Sequence, residues 1–305
     1  MAYAHPDYLV STAWLADHLD DPAVRILDVT PKLSSKLVNG AGEQCWNEAH
    51  IPGSYFFDVP SAKGELSDPD AALPWMWPTP EHFRATMERY GIGADTRVIL
   101  VARTPREGID SGTMWCTRAW WTMRHFGVDC AILHGGLERW QAEGRPVTDE
   151  APEPVAPAAA PVVVKAGWEQ AKASSAEVLD VVRGLADGAT GVCLVDALPA
   201  ESFDGSDAGY GGRPGHITGA VNVPFRSLIE AETCGFVDAD TMSEVLTNAG
   251  LLDSPRVITY CGGAIAATVD AFCLALLGHE HVSVYDGSLM EWSADPTLPM
   301  TDPST

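Results

Sequence analysis

Cys261 is the residue whose surroundings carry the most chemistry. It follows the run Arg256-Val257-Ile258-Thr259-Tyr260 and precedes Gly262-Gly263-Ala264-Ile265-Ala266-Ala267. The run before it is short, apolar and β-branched, as a buried parallel strand requires. The small residues after it lead into a helix. A cysteine at the carboxyl end of a central strand, ahead of a helix N-terminus, stands where open α/β sheets bind ligands. The loop formed by Gly262, Gly263, Ala264, Ile265, Ala266 and Ala267 has room to curl with its N–H groups inward. Such a nest binds anions and favours a thiolate, so the thiol is expected below its ordinary pKa. A thiolate in a ring of donors is a nucleophile. The other six cysteines are Cys45, Cys116, Cys130, Cys193, Cys234 and Cys273. The total is odd, the spacing is wide and no CxxC occurs, which argues against a disulfide framework, a zinc knuckle or any other metal site.

The elements that position Cys261 are repeated. Arg25–Val29 resembles Cys193–Ala197, His50-Ile51-Pro52-Gly53 resembles His216-Ile217-Thr218-Gly219, and Arg97–Leu100 resembles Arg256–Thr259. Leu133-His134-Gly135-Gly136 with Trp140 resembles Tyr285-Asp286-Gly287-Ser288 with Trp292. Four matches in the same order indicate a duplicated domain. Short apolar runs alternate with amphipathic stretches, which reads as α/β with a mostly parallel sheet in each half. Strands are predicted at 24–29, 97–101, 130–133, 192–196, 256–260 and 281–285. Helices are predicted from Pro80 to Tyr90 with Thr79 as cap, over 111–126, 175–186 and 265–277, and from a cap at Asp240 to Asn248. The domains are set at 1–146 and 165–305. Residues 147–164, rich in proline and alanine, form an extended linker that wraps the surface.

Length and charge bound the function. The 305 residues suffice for two cores, and 46% hydrophobic content fits a globular chain. A formal charge of -23, from 42 acidic and 19 basic residues, excludes general attraction to nucleic acid or anionic membranes. No apolar run is long enough to span a membrane and no signal peptide is visible, so the reducing cytoplasm is the expected location. A monomer is expected, because the duplication forms a cleft within one chain.

With these motifs the sequence resembles the two-domain rhodanese-type sulfurtransferases, the thiosulfate and 3-mercaptopyruvate sulfurtransferases. The first half carries Glu48-Ala49-His50-Ile51-Pro52-Gly53-Ser54, Arg118-Ala119-Trp120-Trp121 and Gly135-Gly136-Leu137. The second carries Gly215–Phe225, the Cys261 loop and Val284-Tyr285-Asp286-Gly287-Ser288. The resemblance covers nearly the whole chain. It implies tandem rhodanese-like domains, the first without a nucleophile because Val101 leads to Ala102. It implies that Cys261 accepts a sulfane sulfur as a persulfide and passes it to cyanide, a thiol or a protein cysteine. No metal or organic cofactor is then needed.

The departures from the family pattern bear on the substrate. Thiosulfate enzymes carry basic residues after the cysteine, where this chain has Gly262 and Gly263. The mercaptopyruvate type has Cys-Gly-Ser-Gly-Val-Thr, and here Gly263 and Ala266 replace the two hydroxyl residues. The family places arginine after the first strand of the active domain, where this chain has Leu198 and Ser202; Arg213 either replaces it for anion binding or ties its own loop to an acid, with Arg103 and Arg106 as reserves from the first half. Pro60 and Trp75 align with an acid and a histidine that face the cysteine in relatives, and Leu289 replaces a tryptophan. An organic donor such as a mercapto acid is therefore favoured over thiosulfate, and Trp75 is either an apolar wall for it or a core or domain-interface residue. His216 has a counterpart, His50, in the half without a nucleophile, which favours a structural role for both. A phosphatase or arsenate reductase is disfavoured because no arginine occurs from Gly262 to Val269. The remaining alternative is a persulfide carrier or scaffold that acts with a protein partner rather than turning over.

Overall fold

Both halves build the same sheet from their Val, Ile and Leu runs. The computed structural model describes all residues except 1, 107–110, 189–190, 208–211, 231–232 and 303–305. The first half contributes β1 (Leu9–Val10), α1 (Thr12–Asp17), β2 (Val24–Asp28), α2 (Gly40–Glu48), β3 (Tyr55–Phe56), α3 (Pro80–Arg89), β4 (Arg97–Val101), α4 (Gly112–Phe126), β5 (Asp129–Leu133) and α5 (Gly136–Ala142). The second contributes β6 (Lys172–Ala173), α6 (Ser175–Ala186), β7 (Cys193–Asp196), α7 (Ala200–Phe203), β8 (His216–Ile217), β9 (Val221–Asn222), α8 (Ala239–Asn248), β10 (Val257–Tyr260), α9 (Ala267–Leu276), β11 (Val282–Tyr285), α10 (Ser288–Trp292) and β12 (Met300–Thr301).

The sheet orders are β1-β5-β4-β2-β3 and β6-β11-β10-β7-β9, with every neighbouring pair parallel. One order maps onto the other, so the duplication inferred from the motifs is a duplication of topology. In both, the central strand is the one that leads to residue 102 or 261. The predicted strands all form, within a residue or two of their expected ends. The edge strands of two residues were beyond the pattern, since a pair of residues has no period. An antiparallel ribbon of β8 and β12 is a further addition.

The helix caps follow their chemistry. Thr79 accepts the His82 N–H ahead of Pro80, as expected for α3. The cap of α8 is Asp238 rather than Asp240: its Oδ1 accepts the N–H groups of both Asp240 and Thr241. Asp240 instead occupies the first turn, where an acid suits the helix dipole. In α9 every residue but Ala275 is buried, which makes this helix the centre of the second core.

By compactness the chain forms a unit of Asp7–Trp168 with Glu230–Phe236, and a unit of Met1–Pro6, Glu169–Ile229 and Val237–Thr305. The proline-rich segment 147–164 belongs to the first. Thr148 exchanges backbone hydrogen bonds with His50 at 2.9 Å, Pro161 bridges Gly93, and the Lys165 N–H reaches the Phe126 carbonyl at 3.1 Å.

One device recurs at the end of each sheet. Trp140 is fully buried and donates its indole N–H to Pro146 O at 2.7 Å; Trp292 does the same to Pro299 O at 2.9 Å. Truncating either ring removes a large buried area and leaves a cavity, at a cost of about 3–5 kcal/mol. Trp140→Ala and Trp292→Ala should each lower the denaturation midpoint sharply, whereas Trp→Phe at either site should lose less. Urea titration followed by circular dichroism measures the difference.

Candidate active site

β10 is flanked by β7 and β11, and both neighbours bring residues to Cys261. The cysteine follows Tyr260, is 2% exposed, and the backbone N–H groups of Gly263, Ile265 and Ala267 face its sulfur and favour its thiolate. Alternate residues of the expected loop thus form the cradle. Ala264 makes the turn between them, buried and left-handed at φ 61°. A side chain rarely accepts that conformation, and alanine keeps the strain small. Ala266 is the N-cap of α9, and the Ile265 carbonyl accepts both the N–H and the hydroxyl of Thr268, at 3.0 and 2.6 Å. The helix N-terminus therefore faces the sulfur.

The loop after β11 holds the cysteine's backbone. Leu289 N–H donates to Cys261 O at 3.0 Å and Met290 N–H to Gly262 O at 2.9 Å. Leu289 thereby lies beside the cysteine. Ser288 is a residue the sequence reading did not single out. Its hydroxyl accepts the Cys261 N–H at 3.3 Å and donates to Tyr285 O at 2.8 Å. It does so from a left-handed backbone, φ 49°, where the first half has Gly136 at φ 57°. The substitution of serine at a glycine position was the available signal.

The electrostatics differ from expectation. Burial pushes the Cys261 thiol above its ordinary value, the three backbone donors pull it down, and Asp196 pushes it up again. Desolvation outweighs the donors, so the resting group is a thiol rather than the preformed thiolate that the loop suggested. Asp196, at the end of β7 and paired in register with Tyr260, is itself pushed up to about 7 by burial.

Two predicted site residues are placed elsewhere. Arg213 donates to four carbonyls: Nε to Ser293, Nη1 to Leu298, and Nη2 to Trp292 and Asp295, at 2.7 to 3.2 Å. Its guanidinium closes the end of α10 instead of standing ready for an anion. Trp75 is buried in the first half, where its indole N–H donates to Pro60 O at 2.8 Å and its ring meets Trp115 edge-on at 5.8 Å. It is a core residue of the first half rather than an open apolar wall. Pro60 and Trp75, aligned as partners from the sequence, are therefore neighbours in space. Of the reserve arginines, Arg103 donates to Cys45 O and Arg106 to Leu33 O, both within the first half. His216 and His50 share one arrangement. Each Nδ1 pairs at 2.8 Å with a carbonyl, of Phe203 and Trp46, while the ring stacks on that same residue.

The corresponding end of the first sheet keeps the scaffold, with Ala102 in place of the cysteine. Leu137 N–H donates to Ala102 O at 3.0 Å, as Leu289 does to Cys261 O. Where a sulfur would accept loop donors, Glu138 Oε1 accepts the Thr104 N–H at 2.5 Å. A small cavity there is lined by Ala102, Thr104, Gly112, Cys116 and Cys234.

Residues 11–143 and 178–295 match the model of the rhodanese-like domain. The chain belongs to the rhodanese-like family. It is 33% identical over 303 residues to 3-mercaptopyruvate sulfurtransferase of Escherichia coli, covering 96% of this chain and 97% of that one. It is 31% identical over 301 residues to the sulfur carrier protein TtuD of Thermus thermophilus, covering 96% and 95%. The crystal structure of SseA, a 3-mercaptopyruvate sulfotransferase from Escherichia coli, superposes with a TM-score of 0.75 at 30% identity, covering 92% and 98%. This rhodanese-like chain is a sulfurtransferase of the kind that carries sulfur as a cysteine persulfide, with no bound cofactor implied. Among the described residues no helix is long and apolar enough to cross a membrane.

Ser288→Ala leaves the buried Cys261 N–H and Tyr285 carbonyl each without this partner, at about 1–3 kcal/mol. It should also slow alkylation of Cys261 several-fold. Ser288→Gly should relax the backbone yet show the same slowing, because the hydroxyl is what holds the cysteine. Alkylation rates and thermal melts of the two variants separate strain from hydrogen bonding.

Proposed function

We propose that Cys261 is the nucleophile and that its donor is an organic sulfur compound, a mercapto acid of the 3-mercaptopyruvate kind. The observation that carries this reading is a sulfur cradled by uncharged backbone N–H groups, with no lysine or arginine from Cys261 through Asp270 or from Val282 through Trp292. A dianion such as thiosulfate gains most from cationic side chains, and the loop supplies none. A thiol donor brings less charge to the reacting sulfur. The Escherichia coli relative points the same way.

The step balances without a cofactor. The Cys261 thiol gives up its proton, its sulfur attacks the donor sulfur, an S–S bond forms and the donor C–S bond breaks. The electron pair goes to the carbon beside the carbonyl as an enolate, which takes a proton. The Gly263, Ile265 and Ala267 N–H groups then face the new disulfane. A thiol acceptor attacks the outer sulfur and restores Cys261. Leu289 and the loop from Gly262 to Ala267 position the nucleophile; Arg213 and Trp75 have no part in this reading. The protein is read as a cytoplasmic monomer.

A second reading is a carrier that loads once and delivers to a protein cysteine, which the similarity to the Thermus thermophilus sulfur carrier protein favours. Intact-protein mass after exposure to 3-mercaptopyruvate, to thiosulfate and to an alkyl thiosulfonate tests both. One reducible sulfur, gained most readily from 3-mercaptopyruvate and lost in Cys261→Ser, is the expected result. Preferential loading by thiosulfate would overturn the donor assignment. Loading without turnover to small thiols would favour the carrier.

A further inference from the structure

The core behind Cys261 contains more acid than it satisfies. Asp270 stands in the first turn of α9, is fully buried, and neither of its carboxylate oxygens has a hydrogen-bond partner. Asp196 is also fully buried; Oδ1 accepts the Leu198 N–H at 2.9 Å, and the Tyr260 hydroxyl faces the same carboxylate. A buried carboxylate without donors is costly to ionise, and two within electrostatic reach of each other do not ionise together.

The groups that face this pair are few. β10 and its loop bring the Tyr260 hydroxyl, which accepts the Ile217 N–H at 3.0 Å, and the Cys261 thiol. β9 brings the Asn222 amide, which donates to the Asp196 and Leu198 carbonyls at 2.9 Å. α9 brings Asp270, with Cys273 facing it. The first half makes the contrast visible. There Asp28 forms the same turn with the Thr30 N–H at 2.9 Å, but it is faced by Arg103 and His50, with Cys116 on the helix side. A guanidinium faces the first aspartate and a second acid faces the other.

We propose that Asp196 and Asp270 are a coupled acid pair that sets the charge behind Cys261: the pair holds no more than one negative charge, on Asp196, and that charge opposes formation of the Cys261 thiolate. Asp196 is thus a positioning residue acting through the nucleophile, and the proposal rests on Cys261 being that nucleophile. Burial pushes Asp196 up to about 7 and Asp270 well above the carboxylate range. Below about pH 7 both acids are neutral and the three loop donors act unopposed. Above it Asp196 ionises and holds the thiol protonated to higher pH. Cys261 therefore titrates over a wider range than a single isolated group.

The test is the rate of alkylation of Cys261 by iodoacetamide from about pH 6 to about pH 10, resolved from the other cysteines by peptide mass, in wild type, Asp196→Asn and Asp270→Asn. The asparagine at 196 keeps the acceptor for Leu198 and stays uncharged. Asp196→Asn should match wild type below about pH 7 and react about fivefold faster near pH 8. Asp270→Asn, which preserves a neutral group, should follow wild type near neutrality. Rates for Asp196→Asn that equal or fall below wild type above pH 7 would overturn the proposal. Infrared spectra give a second readout that survives a poorly folded Asp196 variant. Wild type should show a carboxylic C=O band that persists at about pH 9 and is absent from Asp270→Asn; no such band would equally overturn it. Alkylation needs no sulfur donor, so failure of persulfide formation leaves this result standing, while failure of Cys261 to react at any pH would strike the nucleophile itself.

Discussion

A sulfur atom removed from water and facing three backbone N–H groups is the constraint around which the second half is arranged. Burial alone disfavours the anion, and the donors of Gly263, Ile265 and Ala267 recover part of that loss. Donors can converge in this way only where a strand ends, a loop of small residues turns and a helix begins. That requirement explains why Cys261 follows the central strand and why α9 is apolar nearly all round. It explains too why a left-handed alanine is retained at 264 and a left-handed serine at 288. Each is a local strain that fixes a donor or an acceptor against the cysteine.

The two halves show what the same scaffold does with and without a cysteine at the end of its central strand. Ala102 and Cys261 receive the same hydrogen bond, from Leu137 and Leu289. In the first half the loop N–H of Thr104 is satisfied by the carboxylate of Glu138. The chain has answered an unfilled donor with its own anion. In the second half the donors are turned to sulfur, and the charge there comes from acids behind the site. One topology thus supports a self-satisfied end and a reactive one, and the difference lies in a handful of side chains at equivalent positions.

Much of this was legible in the sequence because the relevant signals are local and repeated. The long strands and helices carry clear periods, and the His-Ile and Gly-Gly motifs recur in order. Cys261 and its small-residue loop announce a strand–turn–helix junction. What was not legible depends on distance. Arg213 precedes the motif Pro214-Gly215-His216 and is a plausible anion ligand in one dimension, but its partners are carbonyls some 80 residues away. Trp75 aligns with a residue that faces the cysteine in relatives, yet its own half folds it into the core. The thiol's elevated pKa was missed for a different reason: a loop sequence displays its donors, whereas burial is a property of the packed whole. Asp270 is one acid in an otherwise apolar helical run, a break in pattern whose meaning appears only when Asp196 is found facing it.

The way the chain is shared between its two compact units bears on its biogenesis. Glu230–Phe236 completes the first unit, where the Thr113 hydroxyl caps the Cys234 carbonyl at 2.6 Å and the Phe236 N–H meets His134 at 3.1 Å. Met1–Pro6 belongs to the second unit, where Ala4 and His5 wait for the carbonyl of Leu276. During vectorial synthesis every strand of the first sheet, which ends at Leu133, is therefore made well before Glu230–Phe236, and the Ala4 and His5 N–H groups gain their partner only once Leu276 has been made. Neither unit is a continuous stretch that a single cut would release intact. The units of the fold are thus not the units of synthesis.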